Sequence, residues 1–446
     1  MKRIKKHASL LALGTAALLG LAACSSGGGG GDVASSAPAA SELSGTITLW
    51  HHYSDREAGI IQDAVVDFEK AYPKVKVEVS AGQEDTKIAQ VAATGSKVDV
   101  MITNLNNTLG TLCKSMADLQ PYMDRDGVKE SDFQPVFAEA TKFNGKRCAL
   151  PTTSDVYGLY YNTDMLKKAG YSAPPKTLQD LEAMALKLTT YNVDGSIKTL
   201  GFNPLVGNGQ VISSTLGQAA GGDWMGDGKS VISQNKQWSD LVAWQKAFVD
   251  KIGYDKLKTF SSSAGDEFSA DNPFQNDKVA MALDGEWRVA FIADQAPKLA
   301  YATAPFPVLE GSGQTYGGGY ASGANIGVNS KSKNMEAAWA LTKFLATDTK
   351  TAVNIANGFK NIPTLKAAAE SSDLEVPETY RTFVEASGNP ATATSPVTSI
   401  GATLAQTFTT FWADYQSGAA DDAKLQSGLQ QVDKDIDNAL SLGGAK

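Results

Sequence analysis

The chain has 446 residues, of which 42 % are hydrophobic and 20 % charged, and it carries a formal net charge of −8. That apolar share supports a real core, and the length is enough for two ordinary domains. The acidic balance excludes a nucleic-acid partner, which needs a basic face, and beyond the N-terminal segment no apolar run approaches the roughly 20 residues of a spanning helix.

Lys2, Arg3, Lys5 and Lys6 open the chain, and an apolar stretch over residues 8–19 follows. About a dozen apolar residues are too few to cross a bilayer, and the small residues before Cys24 suit a signal-peptide cleavage site. Leu21-Ala22-Ala23-Cys24 resembles a bacterial lipobox. The resemblance implies that residues 1–23 are a signal peptide and that Cys24 becomes a lipidated N-terminus on the extracellular face of the cell membrane. A plain secretory signal with an incidental cysteine is the alternative. Residues 24–44 are rich in Gly, Ser and Ala and read as a flexible tether. The remaining cysteines, Cys113 and Cys148, form an even pair in an exported chain. A disulfide is expected, with two buried thiols as the alternative.

Residues 46–50 alternate apolar and polar side chains and predict a strand. Residues 57–72 place Ile60, Ile61, Ala64, Val65 and Phe68 at helical spacing, with Pro73 as the stop. A strand over 75–79, a helix near 86–93 and a more buried strand over 98–102 follow. Strand, helix, strand, helix, strand means a parallel sheet with helices on its faces. Residues 149–162 read as extended and aromatic. Helices are expected over 177–188, capped by Thr177, and over 235–251, 334–347 and 404–415, with a short buried strand over 279–283. Two α/β lobes result, and no single linker divides residues 45–446.

Phe143-Asn144-Gly145-Lys146 with Ala149-Leu150-Pro151, the segment from Gly158 to Leu166 containing Tyr161-Asn162, Pro175-Lys176-Thr177 with Leu181, and Ala280-Met281 with Gly285 and Trp287 occur in order. Together they resemble the maltose-binding-like bacterial extracellular solute-binding proteins over most of residues 45–345, thinning after about residue 365. The resemblance implies a two-lobed periplasmic-binding-protein fold (type II), each lobe a mainly parallel sheet flanked by helices. Its hinge crossings would fall near Thr153-Ser154, near residues 319–323 and near 371–376. One lobe would hold 45–153 plus 324–372, the other 154–318 plus 376–446. It further implies a monomeric, non-enzymatic receptor without cofactor that binds an oligosaccharide and delivers it to the permease of an ABC importer.

Open α/β sheets bind ligands beyond the carboxyl ends of their strands. After the first strand come His52 and Tyr53, which offer hydrogen bonds and an aromatic face for a sugar. After the third come Asn104, Asn106 and Asn107; the resemblance gives this loop hydroxyl contacts, through Asn104 and Asn106, and Asn107 reads as a helix cap. It also gives Asp155 the role of a hydroxyl acceptor and Trp287 that of a stacking ring. Asn208 lies in a Gly-rich loop assigned to the cleft wall. Gly319 and Tyr320 end a glycine run suited to a hinge and to close ligand approach. Trp224 and the helical tryptophans read as core. The adjacent His51 and His52 point apart on a strand and make no metal site.

Gly226-Asp227-Gly228-Lys229-Ser230 lacks the leading glycine of a phosphate loop, and Met225 and Gln234 break a calcium loop. Asp284 and Glu286 form a carboxylate pair that a glycosidase would use, but surface and hinge charges explain them more simply. A charged metabolite, such as a glycerol phosphate or a polyamine, is the alternative ligand; Arg288, with Arg56 second, is the basic residue near the expected site.

Overall fold

The computed structural model describes residues 33, 35–95, 97–207, 212–265, 269–419 and 424–443. Gly45–His51 forms strand β1, with alternate positions buried as in a half-covered sheet. Helix α1, Asp55–Ala71, buries Ile61, Ala64, Val65 and Phe68 along one face and stops just ahead of Pro73. Strand β2 is Val75–Ser80, helix α2 is Asp85–Thr94, and strand β3 is Val100–Asn104. β1 pairs parallel with both β2 and β3, a connection that needs crossovers, and α1 and α2 supply them. Helix α3, Leu105–Leu112, starts directly after β3. The loop expected at 103–107 is therefore absent, and Asn107 stands inside the first turn of the helix, with its side chain outside the described residues.

The long strand Leu150–Asn162 is the spine of the molecule. Its first half pairs with Ala321–Val328, which in turn pairs with β3, and with the short strand Ile362–Pro363. Its second half carries Met281–Gly285 and Tyr301–Pro305. One sheet path therefore runs from Met281–Gly285 through the long strand, Ala321–Val328, β3 and β1 to β2. The α/β architecture is the expected one; β1, β2 and β3 pair in parallel, parallel bridges join Thr177 to Val308 and Leu200 to Val279, and the strands paired with the long strand run antiparallel to it. The register slips between Gly323 and Asn325. Gly323 has φ of 146°, and a Cβ there would lie 2.2 Å from the Thr153 carbonyl oxygen, so only glycine fits this bulge.

One buried core is built on the spine itself, with Val156, Tyr160, Phe274 and Phe383, and two more lie beside it. The buried members of one come entirely from residues 159–309 and 404–440, with Trp238, Phe248, Phe408 and Trp412 among the largest. Trp224 packs edge-on to Trp238 at 4.6 Å, as core. The other lies beneath β3 and contains Ile88, Met101, Leu109, Leu112 and Met116. The Cys113–Cys148 disulfide sits in this core beneath β3 and ties the end of α3 to the entry of the long strand. Thr177 caps the helix Leu178–Leu188, its hydroxyl accepting from the Asp180 N–H at 3.0 Å. Within the unit Ser36–Lys446, Leu43 is buried and the Ala39 carbonyl accepts from the Glu42 and Leu43 N–H groups.

Candidate functional site

The ends of β1 and β3, the middle of the long strand and the end of Met281–Gly285 converge on a cavity of about 1030 Å³. That is the upper end of the range for small-molecule sites.

Asp155 lies on the long strand opposite Ser322 and opens half-buried onto this cavity. It accepts a hydrogen bond from Asn361 Nδ2. The same amide nitrogen donates to Glu286 Oε1 at 2.9 Å, and the Val156 N–H donates to Glu286 Oε2 at 2.8 Å. Glu286 is fully buried. Burial, reinforced by the charge of Glu57, pushes Asp155 up to about 6. Burial, and then the charge of Asp155, holds Glu286 well above the ordinary carboxylate range.

Asp284 is buried too. It accepts from Arg288 Nε at 2.6 Å and from the Gly285 N–H at 2.9 Å, and Arg288 also donates to Gln275 Oε1 at 2.9 Å. The expected surface and hinge charges at 284 and 286 are thus interior groups. Strand β-pairing to the long strand carries them inward, and Arg288 balances Asp284 instead of facing a ligand.

One wall of the cavity is aromatic. Trp287 meets Tyr157 edge-on at 5.2 Å and 87°, and Tyr157 lies 5.8 Å from Tyr320. The Tyr320 hydroxyl is 3.0 Å from the Ser395 hydroxyl. The Trp287 indole folds back over the strand end, where a Cβ on Gly285 would come within 2.1 Å of it. Its Nε1 is buried and makes no hydrogen bond, although the indole N–H lies close enough to Asp284 to favour that carboxylate's charged form.

The opposite wall comes from the end of β1. The rings of His52 and Tyr53 are 4.2 Å apart, and Tyr53 sits edge-on to Phe359 at 4.6 Å. The Tyr53 hydroxyl lies 3.1 Å from the Thr153 hydroxyl. His52 Nδ1 is 3.6 Å from Asp85 Oδ1, and the Asn104 N–H donates to Asp85 Oδ2 at 3.1 Å. Asp85, the first residue of α2, therefore holds the end of β3 and lies beside His52 without a hydrogen bond to it. His51 is buried, and burial, then the charge of His52, pushes it down to about 4, leaving it neutral at pH 7.

The sequence matches the family of bacterial extracellular solute-binding proteins over residues 54–352. The chain belongs to this family. It is similar to a maltooligosaccharide ABC transporter solute-binding lipoprotein of Streptococcus pneumoniae serotype 4, 26 % identical over 360 residues that cover 77 % of each chain. Its fold is similar to CpMnBP1 with mannotriose bound, at a TM-score of 0.74 and 22 % identity, covering 87 % of this chain and 99 % of the other. It is also similar to the cyclic alpha-maltosyl-1,6-maltose binding protein of Arthrobacter globiformis, at 0.69 and 18 %, covering 90 % of this chain and all of that one. These likenesses establish the two-lobed α/β fold of the family. Among the described residues no helix of this solute-binding protein is long and apolar enough to cross a membrane.

His52, Tyr53, Asn104, Asp155, Trp287 and Tyr320 all line the one cavity. Gly319 does not. Its N–H donates to the Thr392 hydroxyl at 3.1 Å, and a Cβ there would meet the Tyr157 carbonyl at 3.0 Å, so close backbone packing accounts for this glycine. Asn106 lies in the first turn of α3, and its side chain is outside the described residues, as is the whole of 208–211 with Asn208. Sequence reasoning missed Tyr157 and Asn361. Tyr157 was legible, because it follows Asp155 by two residues on a strand and so shares its face. Asn361 carries no local signal; it stands after the left-handed Lys360 and reaches the cavity only through the pairing of Ile362–Pro363 with the long strand.

Proposed function

We propose that this solute-binding protein is a carbohydrate receptor, tethered through lipidated Cys24 and residues after it, that delivers an oligosaccharide to an ABC importer. The observation that carries the reading is the pairing of a carboxylate, Asp155, with the Tyr157–Trp287–Tyr320 wall in one large cavity. Aromatic faces cover the C–H surfaces of a pyranose, while the carboxylate and the amides take its hydroxyls. The maltooligosaccharide and mannotriose ligands of the relatives agree with this class. His52, Tyr53, Asn104, Asp155, Trp287 and Tyr320 are the proposed contacts. The lobes divide at the crossings, 45–153 with 324–372 against 154–318 with 376–446, and binding selects the closed form because only there do both lobes touch the ligand. The protein acts as a monomer and leaves its ligand chemically unchanged.

A phosphorylated ligand needs paired cations. The described lining offers Arg56 and His52, and Arg56 already donates to the Gly358 carbonyl. Calorimetric titration with malto- and manno-oligosaccharides, glycerol 3-phosphate and spermidine tests the class. Binding of a neutral saccharide, abolished in Asp155→Ala and Trp287→Ala, is the expected result. Exclusive binding of the phosphate or the polyamine overturns it, and hydrolysis of a saccharide overturns the transport role.

A further inference from the structure

Glu286 is fully buried, and among the described residues no cation pairs with it. Its partners are the Val156 N–H and the Asn361 amide, which also bonds the Asp155 carboxyl beside it. Two desolvated carboxyls bridged by one amide nitrogen do not both ionise, because the like charges repel without water between them. One proton stays with the pair, and it belongs on the deeper group: Glu286 has no exposure, whereas Asp155 opens to the cavity. We infer that Glu286 is a positioning residue, a neutral carboxylic acid that donates a hydrogen bond to Asp155 and holds that carboxylate as an acceptor facing the cavity. The inference rests on the reading of Asp155 as a ligand contact.

The surroundings fit this arrangement. Glu57 of α1 and His52 at the end of β1 are the charged or titratable neighbours of Asp155 on the cavity side. Phenols close the other sides: Tyr53, Tyr157 and Tyr160, with Tyr380 from the helix Glu378–Ser387, each kept neutral by burial. Asp284 stands across Gly285 with its own partner Arg288. None of these supplies a cation to Glu286, so a proton is what neutralises it.

Affinity then depends on one titration. Asp155 accepts ligand hydroxyls when ionised, and burial with the nearby Glu57 charge sets the expected midpoint of the pair at about 6. Binding is full above pH 7, weakens as the pH falls through 6, and is about tenfold weaker at pH 5 than at pH 7. Near pH 6 it releases a proton. Glu286→Gln keeps a neutral donor toward Asp155, and Glu286→Ala removes it. The test has two readouts: calorimetry with maltotriose and mannotriose from pH 5 to 8 in two buffers of different ionisation enthalpy, and carboxyl NMR of ligand-free protein labelled at aspartate 13Cγ. Wild type and Glu286→Gln should share a midpoint near 6, whereas Glu286→Ala should move it upward and weaken binding about tenfold at pH 7. A midpoint that falls toward 4 in Glu286→Gln means Glu286 is charged in the wild type, and overturns the inference; so does an unmoved midpoint in Glu286→Ala. Saccharide binding that survives Asp155→Asn at pH 7 instead sinks the ligand contact. The NMR midpoints judge the shared proton even if neither saccharide binds.

Discussion

Gly285→Ala adds one methyl group and removes no polar atom, yet it should disable the aromatic wall. On the present backbone the new Cβ would lie 2.1 Å from Cζ3 and 2.2 Å from Cη2 of Trp287. Carbon atoms prefer about 3.5 Å or more, so one group must move by roughly 1.5 Å. The strand end cannot give way easily: Gly285 is in register with Tyr157, its carbonyl accepts from the Tyr160 hydroxyl at 2.8 Å, and its N–H is held by Asp284. The indole is the group that swings. It loses the edge contact with Tyr157, worth about 1 kcal/mol, and overpacking brings the stability loss to about 1–3 kcal/mol. An aromatic anchor in a binding pocket contributes about 2 kcal/mol or more, so the dissociation constant should rise roughly thirtyfold. Thermal unfolding and saccharide calorimetry measure the two effects, with Trp287→Ala as the comparator. In the double variant the binding losses should not add, because both substitutions remove the same ring. Wild-type melting and wild-type affinity in Gly285→Ala would refute the placement of Trp287.

Opening the Cys113–Cys148 bridge, which closes a separation of 35 residues, should cost about 3–4 kcal/mol in the chain-entropy account, read as a lower melting temperature in reductant or in Cys113→Ser/Cys148→Ser. Gly323→Ala forces a Cβ into the Thr153 carbonyl at a left-handed φ and should cost about 2 kcal/mol or more in urea unfolding; a neutral result would mean the bulge is free to relax. For Asp126, burial raises the carboxyl, but hydrogen bonds from Arg125, Lys343 and Trp339 outweigh it and hold the group down to about 2. A depressed folded pKa contributes stability above the unfolded value near 4, and that stability disappears as pH falls through 2. Asp126→Asn should therefore cost about 3 kcal/mol at pH 7, with the gap to wild type closing between pH 4 and pH 2; a gap that stays constant across that window contradicts the assignment.

Much of this molecule was written in local pattern. Periodicity marked β1, α1, β2, α2 and the helix capped by Thr177, because each buries a face whose spacing is set by its own backbone geometry. Strand ends pointed to His52 and Asn104, and the family resemblance to Asp155 and Trp287; all four line the one cavity. What local pattern cannot carry is the partner of a charge. Asp284 and Glu286 look like exposed acids in the chain, and only their strand's place against Leu150–Asn162 buries them, with Arg288, Asn361 and Asp155 as company. Asp433 likewise accepts from the Ile232 and Ser233 N–H groups at 3.0 Å, a helix start capped from two hundred residues away. Hydrophobic spacing is a property of neighbours along the chain; desolvation and hydrogen bonding across a crossing strand exist only once distant segments meet.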